Sequence, residues 1–387
     1  MRKQIYLDHN ATTPTDKRVV EAMLPYFDEI FGNASSLHRF GQKAHVALDD
    51  ARGQVARILG ADDKEIVFTS GGSESDNCAI KGAAHFLQDK GRHIVTSKIE
   101  HPAVKSVCEH LEKRGFDVTY VSVDEYGMVD LDELRDTIRG DTILVTIMCA
   151  NNEVGTIQPI AEIGRITRER GVLFHTDAVQ AVGKLDTDVK ELGVDMLSLS
   201  GHKLHGPKGV GALYVRSGVE TVPLIHGGHH EKGRRAGTEN IPGIVGLGKA
   251  CDICIAQMKE ERKRLTRLRD MLWEGLSKGI QDIKLLGHPS KRLPNTLAVS
   301  FKYVEGESVL LNLDLEGIAV SSGSACSSGS VEPSHVLLAM GVSPVFARGA
   351  IRFSLGRGNT EEEIKRVIDV TPGIVGKLRA MSPLAKK

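Results

Sequence analysis

Between about residues 64 and 216, short apolar runs alternate with longer amphipathic segments. "EIVFTS" leads into a helical stretch from Glu74 to about Lys90, "HIVTS" into Ala103 to Arg114, and "DVTYVSV" into "DLDELRDTI". "TILVTIMCA" precedes "PIAEIGRITRERG", and "VLFHTDA", "DMLSLS" and "GALYVR" follow. Each run is too short for a helix and is apolar at nearly every position, so both of its faces must be covered. Such runs, separated by helical segments, predict a mostly parallel sheet sandwiched between helices, an α/β unit.

After about Gly243 the pattern changes. "QMKEERKRLTRLRDMLWEGLSKGI" is strongly charged, and Leu265, Leu268, Leu272 and Leu276 mark one apolar face at helical spacing. Strand-like "NTLAVSF" and "IRFSL" follow, with helices near "EGESVLLNLDLEG" and "EEEIKRVIDVTPGIVGKLRAM". These predict a second, smaller α+β domain.

A chain of 387 residues accommodates two such domains. Lys plus Arg and Asp plus Glu balance at 50 each, so no overall field draws in nucleic acid or an anionic membrane, and neither is expected as a partner. The start, "MRKQIYLDHNATT", lacks the apolar core of a signal peptide, and no unbroken apolar run approaches about 18 residues. A cytoplasmic location is expected. The six cysteines show no disulfide-framework spacing and are expected as reduced thiols. Cys251 and Cys254 form a C-x-x-C inside a helical stretch and read as packed thiols. Cys326 is different, because "SSGSACSSGS" (Ser321 to Ser330) surrounds it with residues too small to shield a thiol.

Polar residues collect where strands of the large sheet end, the edge at which open α/β sheets bind ligands. In "FTSGGSESDN", Gly71, Gly72 and Ser73 stand between strand and helix, where backbone N–H groups and a hydroxyl can seat an anion. "EHPAV" places His101 near a strand end; "CANNEVG" places Asn151 and Asn152, and "FHTDAVQ" places Asp177 and Gln180, directly after strands. In "DMLSLSGHKLHGPKGVGALYV", Lys203 follows a strand through Ser200 and His202, and the glycines beyond it let the backbone fold round the amine. A lysine held in a cleft forms Schiff bases with carbonyls. "GPKGVG" departs from G-x-G-x-x-G and lies between two strands, which argues against a nicotinamide site. Lysine, acid, flat imidazole and anion seat together suit pyridoxal phosphate, with Lys203, Asp177, His101 and the Gly72–Ser73 turn in those roles.

With these residues in place, the chain resembles the NifS/IscS-type cysteine desulfurases, fold type I pyridoxal phosphate enzymes of the class-V aminotransferase group. The likeness runs from "YLDHNATTP" through "FGNASSLH", "NNEVGTIQP", "HTDAVQAVGK", "SGHKLHGPKG", "GRRAGTEN" and "RLPNT" to "SSGSAC" and "IRFSLGR". It implies a seven-stranded-type sheet in a large domain at 15–255, and a small domain formed by 1–14 with 256–387. The small domain would carry a mobile catalytic loop at about 321–332.

The resemblance implies that Lys203 binds the cofactor and moves protons, that His101 stacks on its ring, and that Asp177 pairs with the ring nitrogen. Gln180 and Asn152 would contact the ring or the substrate, while Gly72, Ser73, Ser200 and His202 hold the phosphate. Thr238 would reach across a homodimer interface, and Arg352 with Asn33 nearby would hold the substrate carboxylate. Cys326 would take sulfur from L-cysteine as a persulfide, leaving L-alanine, and pass it to an iron–sulfur scaffold, a tRNA-thiolation relay or another sulfur acceptor. No resident metal is expected, although Cys326 could join a transient cluster. Ser73 stands where Thr is common, and His230 where Gln often stands. An aminotransferase of the same group has no need of a nucleophilic cysteine, so Cys326 separates the two activities.

Overall fold

The computed structural model describes residues 4–322 and 333–382. Cys326 and most of the expected mobile loop lie outside them.

The chain opens on a two-residue strand β1 (Ile5–Tyr6). The large sheet follows with β2 (Ile66–Thr69), β3 (His93–Ser97), β4 (Asp117–Val121), β5 (Thr142–Thr146), β6 (Leu173–Asp177), β7 (Met196–Ser200) and β8 (Gly211–Val215). Their spatial order is β2-β8-β7-β6-β5-β3-β4. Every neighbouring pair is parallel except those involving β8, which runs antiparallel to both β2 and β7. The exception follows from chain length. Only residues 201–210 join β7 to β8, and they hold no more than a single 3-10 turn at Gly201–Lys203, too little for a parallel crossover. That tight return puts Lys203 at the sheet's carboxyl edge.

Beyond the large sheet come β9 (Ile283–Leu286), β10 (Thr296–Phe301), β11 (Ile318–Ala319), β12 (Ser321–Ser322) and β13 (Ala350–Ser354). Strands β12-β13-β10-β9 form an antiparallel sheet, and β11 pairs in parallel with β1. The start of the chain is thus stitched to its last third.

One 39-residue helix, Ile241–Gly279, links the two sheets. Its first half buries Ile244, Leu247, Cys251 and Cys254 in the core against the large sheet. Its second half buries Leu265, Leu268, Leu272 and Leu276 in a separate core with Val299, Phe301 and Phe353. The charged helix expected from residue 257 is therefore the continuation of the segment holding the C-x-x-C, and the expected division at residue 255 falls inside a single helix. Cys251 and Cys254 are buried, and burial pushes both thiols up, as packed thiols should behave.

Candidate active site

A cavity of about 480 Å³ opens at the carboxyl edge of the large sheet and reaches the antiparallel sheet. Its wall includes Gly72, Ser73, His101, Asn152, Asp177, Gln180, Ser200, His202, Lys203 and Arg352.

Lys203 closes the 3-10 turn after β7. Gly201 permits that turn, because a Cβ there would lie 2.9 Å from the Pro207 carbonyl oxygen. The Lys203 Nζ donates to the backbone carbonyls of Asn10 (2.5 Å) and Ala11 (2.7 Å), 193 and 192 residues away in sequence. Asp177 ends β6 and is 6 % exposed. Burial pushes its carboxyl up, and the neighbouring His101 and Lys203 pull it back down. Its Oδ1 accepts the Val179 N–H at 2.9 Å, which aims the carboxylate out of the strand.

His101 is the N-cap of the helix Pro102–Glu112, its Nδ1 accepting the Ala103 N–H at 3.1 Å. Burial lowers its proton affinity, opposed by Asp177. The ring is thereby held neutral with Nδ1 as acceptor, a flat face suited to stacking on another ring. Gly72 and Ser73 begin the 16-residue helix Gly72–Leu87, whose first N–H groups lack a capping side chain at Gly71. Ser200 and His202 stand opposite, with His202 Nδ1 3.1 Å from Thr12 Oγ1 and its ring lowered to about 4 by burial and by Lys203. Uncapped helical N–H groups flanked by hydroxyls fit a phosphate.

The two asparagines of "CANNEVG" have separate tasks. Asn151 Oδ1 accepts the N–H groups of Glu153 and Val154, both at 2.9 Å, and shapes the turn, while Asn152 faces the cavity. Arg352, in β13, donates from Nη1 to the Asn152 carbonyl (2.9 Å) and from Nη2 to Asp8 Oδ1 (2.8 Å). It is 6 % exposed, a buried guanidinium fork on the wall of the cavity.

Two expected residues are not brought to this wall. Asn33 is exposed, and its Oδ1 is occupied by the Ser35 N–H and hydroxyl at 2.9 and 2.7 Å. Thr238 lines a separate hollow of about 130 Å³ with Glu231, Arg235 and Glu239. His230 bonds Glu239 at 2.8 Å.

Sequence reasoning missed Asp8, Asn10 and Asp76, all on the wall. Asp8 and Asn10 sit in the polar run "DHN" one residue beyond β1, a signal like the one that marked the other strand ends. Asp76 is four residues beyond Gly72, hence on the same helix face. Burial and the nearby Asp177 push its carboxyl well up. Behind it His175, itself lowered to about 3 by burial, bonds Thr146 Oγ1 (2.8 Å) and Ser198 Oγ (3.0 Å) and lies 3.6 Å from Asp76.

A lysine amine, a buried carboxylate, an uncapped helix start and a flat imidazole around one cavity are the donor set of a pyridoxal phosphate site. Residues 5–367 match the family described as aminotransferase class-V, and the chain belongs to that family. It is 58 % identical over 385 residues to the cysteine desulfurase IscS of Methanosarcina thermophila, covering 100 % of this chain and 95 % of that protein. With the cysteine desulfurase IscS of Dictyoglomus turgidum it shares 54 %, over 99 % and 97 % of the two. Among solved structures, a NifS-like protein superimposes with a TM-score of 0.92 at 42 % identity, over 97 % of this chain and 100 % of that one. SspA, solved in complex with cysteine, gives 0.81 at 41 %, over 91 % and 99 %. Within the class-V family the chain falls among the cysteine desulfurases, which are pyridoxal phosphate enzymes.

Proposed function

We infer that the protein takes L-cysteine into this cavity, transfers its sulfur to Cys326 and releases L-alanine. The observation that carries this is the convergence of Lys203, Asp177, His101 and Arg352 on one cavity whose wall also includes Ser321, five residues before Cys326. A chain spans at most about 3.5 Å per residue, so those five residues tether Cys326 within about 18 Å of Ser321.

Lys203, Asp177, His101 and the Gly72–Ser73 turn with Ser200 and His202 would hold pyridoxal phosphate, which would supply an electron sink for the substrate's α-carbon. Arg352 anchors the substrate carboxylate through its guanidinium fork. The Lys203 amine would take the α-proton and later return it, and Asp177 would hold a proton on the ring nitrogen. The Cys326 thiolate attacks the substrate sulfur; the bond between Cβ and sulfur breaks and a sulfur–sulfur bond forms. L-Cysteine plus enzyme thiol becomes L-alanine plus enzyme persulfide, and no external oxidant is consumed.

The persulfide then passes to an iron–sulfur scaffold or another sulfur-acceptor protein. The same reading makes the protein a cytoplasmic homodimer in which Thr238 completes the partner's phosphate seat.

The test is to incubate the holoenzyme with L-cysteine, alkylate it and find the modified peptide by mass spectrometry. Cys326 should carry one extra sulfur. Cys326→Ala should keep the cofactor's absorbance and lose both persulfide and turnover; full alanine formation by that variant would refute the reading.

A further inference from the structure

Lys184 is a lysine that the proposed reaction does not use. It lies four residues after Gln180 in "QAVGK" and donates from Nζ to the Gln180 carbonyl (3.0 Å) and to Gln180 Oε1 (3.3 Å). Its amine faces a hollow of about 50 Å³ on the far side of Lys203, shared with His9, His205, Cys254 and Arg357. Burial, with the charge of Lys203 second, brings that amine down to about 7. Burying a lysine amine with only neutral oxygens as its hydrogen-bond acceptors among the described residues costs stability, so its place calls for a physical account.

The account lies in the Gln180 amide, whose two ends are hard to tell apart except by their partners. Gln180 Nε2 lies 3.0 Å from the Asn10 carbonyl oxygen, which can only accept. At the other end stands the Lys184 amine, which donates to Gln180 Oε1 at 3.3 Å while held by the Gln180 backbone carbonyl at 3.0 Å. Both partners demand the same orientation, oxygen toward Lys184 and nitrogen toward Asn10. The Asn10 carbonyl is also the group that receives the Lys203 Nζ. Gln180 is 5 % exposed and lines the main cavity, so its second N–H is the one available to a ligand there.

We propose that Lys184 is a positioning residue: it locks the Gln180 amide so that Gln180 meets the cofactor as a hydrogen-bond donor to an acceptor oxygen. This rests on the reading that Gln180 contacts the cofactor. Without Lys184, one end of the amide loses its partner and the side chain can turn over, presenting an acceptor instead.

The test compares holoenzymes of wild type, Lys184→Met, Lys184→Arg and Gln180→Ala by absorbance against pH, with circular dichroism as the check on folding. A donor to the cofactor's oxygen, together with a nearby cation, lowers the pH midpoint between its two absorbance bands. Lys184→Met should therefore raise that midpoint by about half a pH unit or more, the scale of one net hydrogen bond. It should lower kcat about threefold to tenfold with KM for cysteine changed less than about twofold. Lys184→Arg should move the midpoint back toward wild type, and Gln180→Ala should shift it in the same direction as Lys184→Met.

If Gln180→Ala shifts the midpoint and Lys184→Met does not, the role of Lys184 is overturned while Gln180 stands. If Gln180→Ala leaves the spectrum unchanged, the contact between Gln180 and the cofactor is wrong and the inference falls with it. Should Lys184→Met fail to fold, Lys184→Gln decides: it keeps an N–H donor, so a rise smaller than that of Gln180→Ala supports the lock and an equal rise refutes it.

Discussion

Replacing Arg352 isolates substrate binding from chemistry. Among the described residues its guanidinium bonds Asp8 at 2.8 Å and the Asn152 carbonyl at 2.9 Å, and its side chain is only 8 % exposed. A carboxylate arriving at this fork meets a cation already aligned and largely dehydrated, so the contact is worth more than a surface pair. Charge-assisted hydrogen bonds contribute about 1.5–3 kcal/mol each, and part of that is lost because Asp8 already shares the fork. A net loss of about 2–4 kcal/mol in Arg352→Ala corresponds to about 30-fold to 1000-fold in kcat/KM. Arg352→Lys keeps the charge and loses the fork, which should leave a penalty of about 1–2 kcal/mol, or 5-fold to 30-fold.

The carboxylate is remote from the bonds that break, so it is held alike in ground and transition states and the loss should fall on KM. The assay is steady-state alanine release across a range of cysteine concentrations. Cofactor absorbance and thermal melting serve as controls, because truncation also strands the Asp8 carboxylate, whose side chain is 20 % exposed. A Lys variant whose KM stays within twofold of wild type, with the cofactor bound, would show that Arg352 does not hold the substrate.

Two further outcomes concern stability. Glu100 is 1 % exposed, and burial pushes its carboxyl up to about 8 from 4.5. The folded protein therefore holds a proton that the unfolded chain releases, so stability falls as pH rises from about 4.5 to about 8 and is level above, with a limiting slope of about 1.4 kcal/mol per unit. Glu100→Gln keeps an oxygen for the Ser97 hydroxyl and the Met148 N–H, and should gain on wild type in urea melts as pH is raised from 5 to 8.5. A gap between the two curves that stays constant with pH would contradict this. Gly211→Ala would set a Cβ 2.6 Å from the Leu199 oxygen and 2.7 Å from Gly71 Cα, both backbone atoms. It should cost about 2 kcal/mol or more and weaken cofactor binding by shifting the anion turn. A loss under about 1 kcal/mol with cofactor affinity intact would show that the turn yields more readily than its packing implies.

Much of this arrangement was visible in the residue pattern, for a local reason. In a parallel sheet every strand ends at the same edge as its neighbours, so polar residues after separate apolar runs converge without further information. That is why Asp177, Asn152, Lys203 and the Gly72–Ser73 turn could be named from the chain alone. The antiparallel return of β8 was equally implicit in the short segment between it and β7.

What the pattern left open depends on contacts between distant segments. Asp8 meets Arg352 across 344 residues, and the Asn10 carbonyl receives both Lys203 and Gln180 because β1 joins β11 and carries the following polar turn into the cleft. No periodicity encodes such meetings. They arise when buried donors and acceptors from separate segments satisfy one another, and that matching exists only once the two cores have closed. The partners of Arg352, the orientation of Gln180 and the place of Lys184 behind it belong to that level, whereas the lysine, the acid and the anion turn on the cavity wall were already marked in the order of the residues.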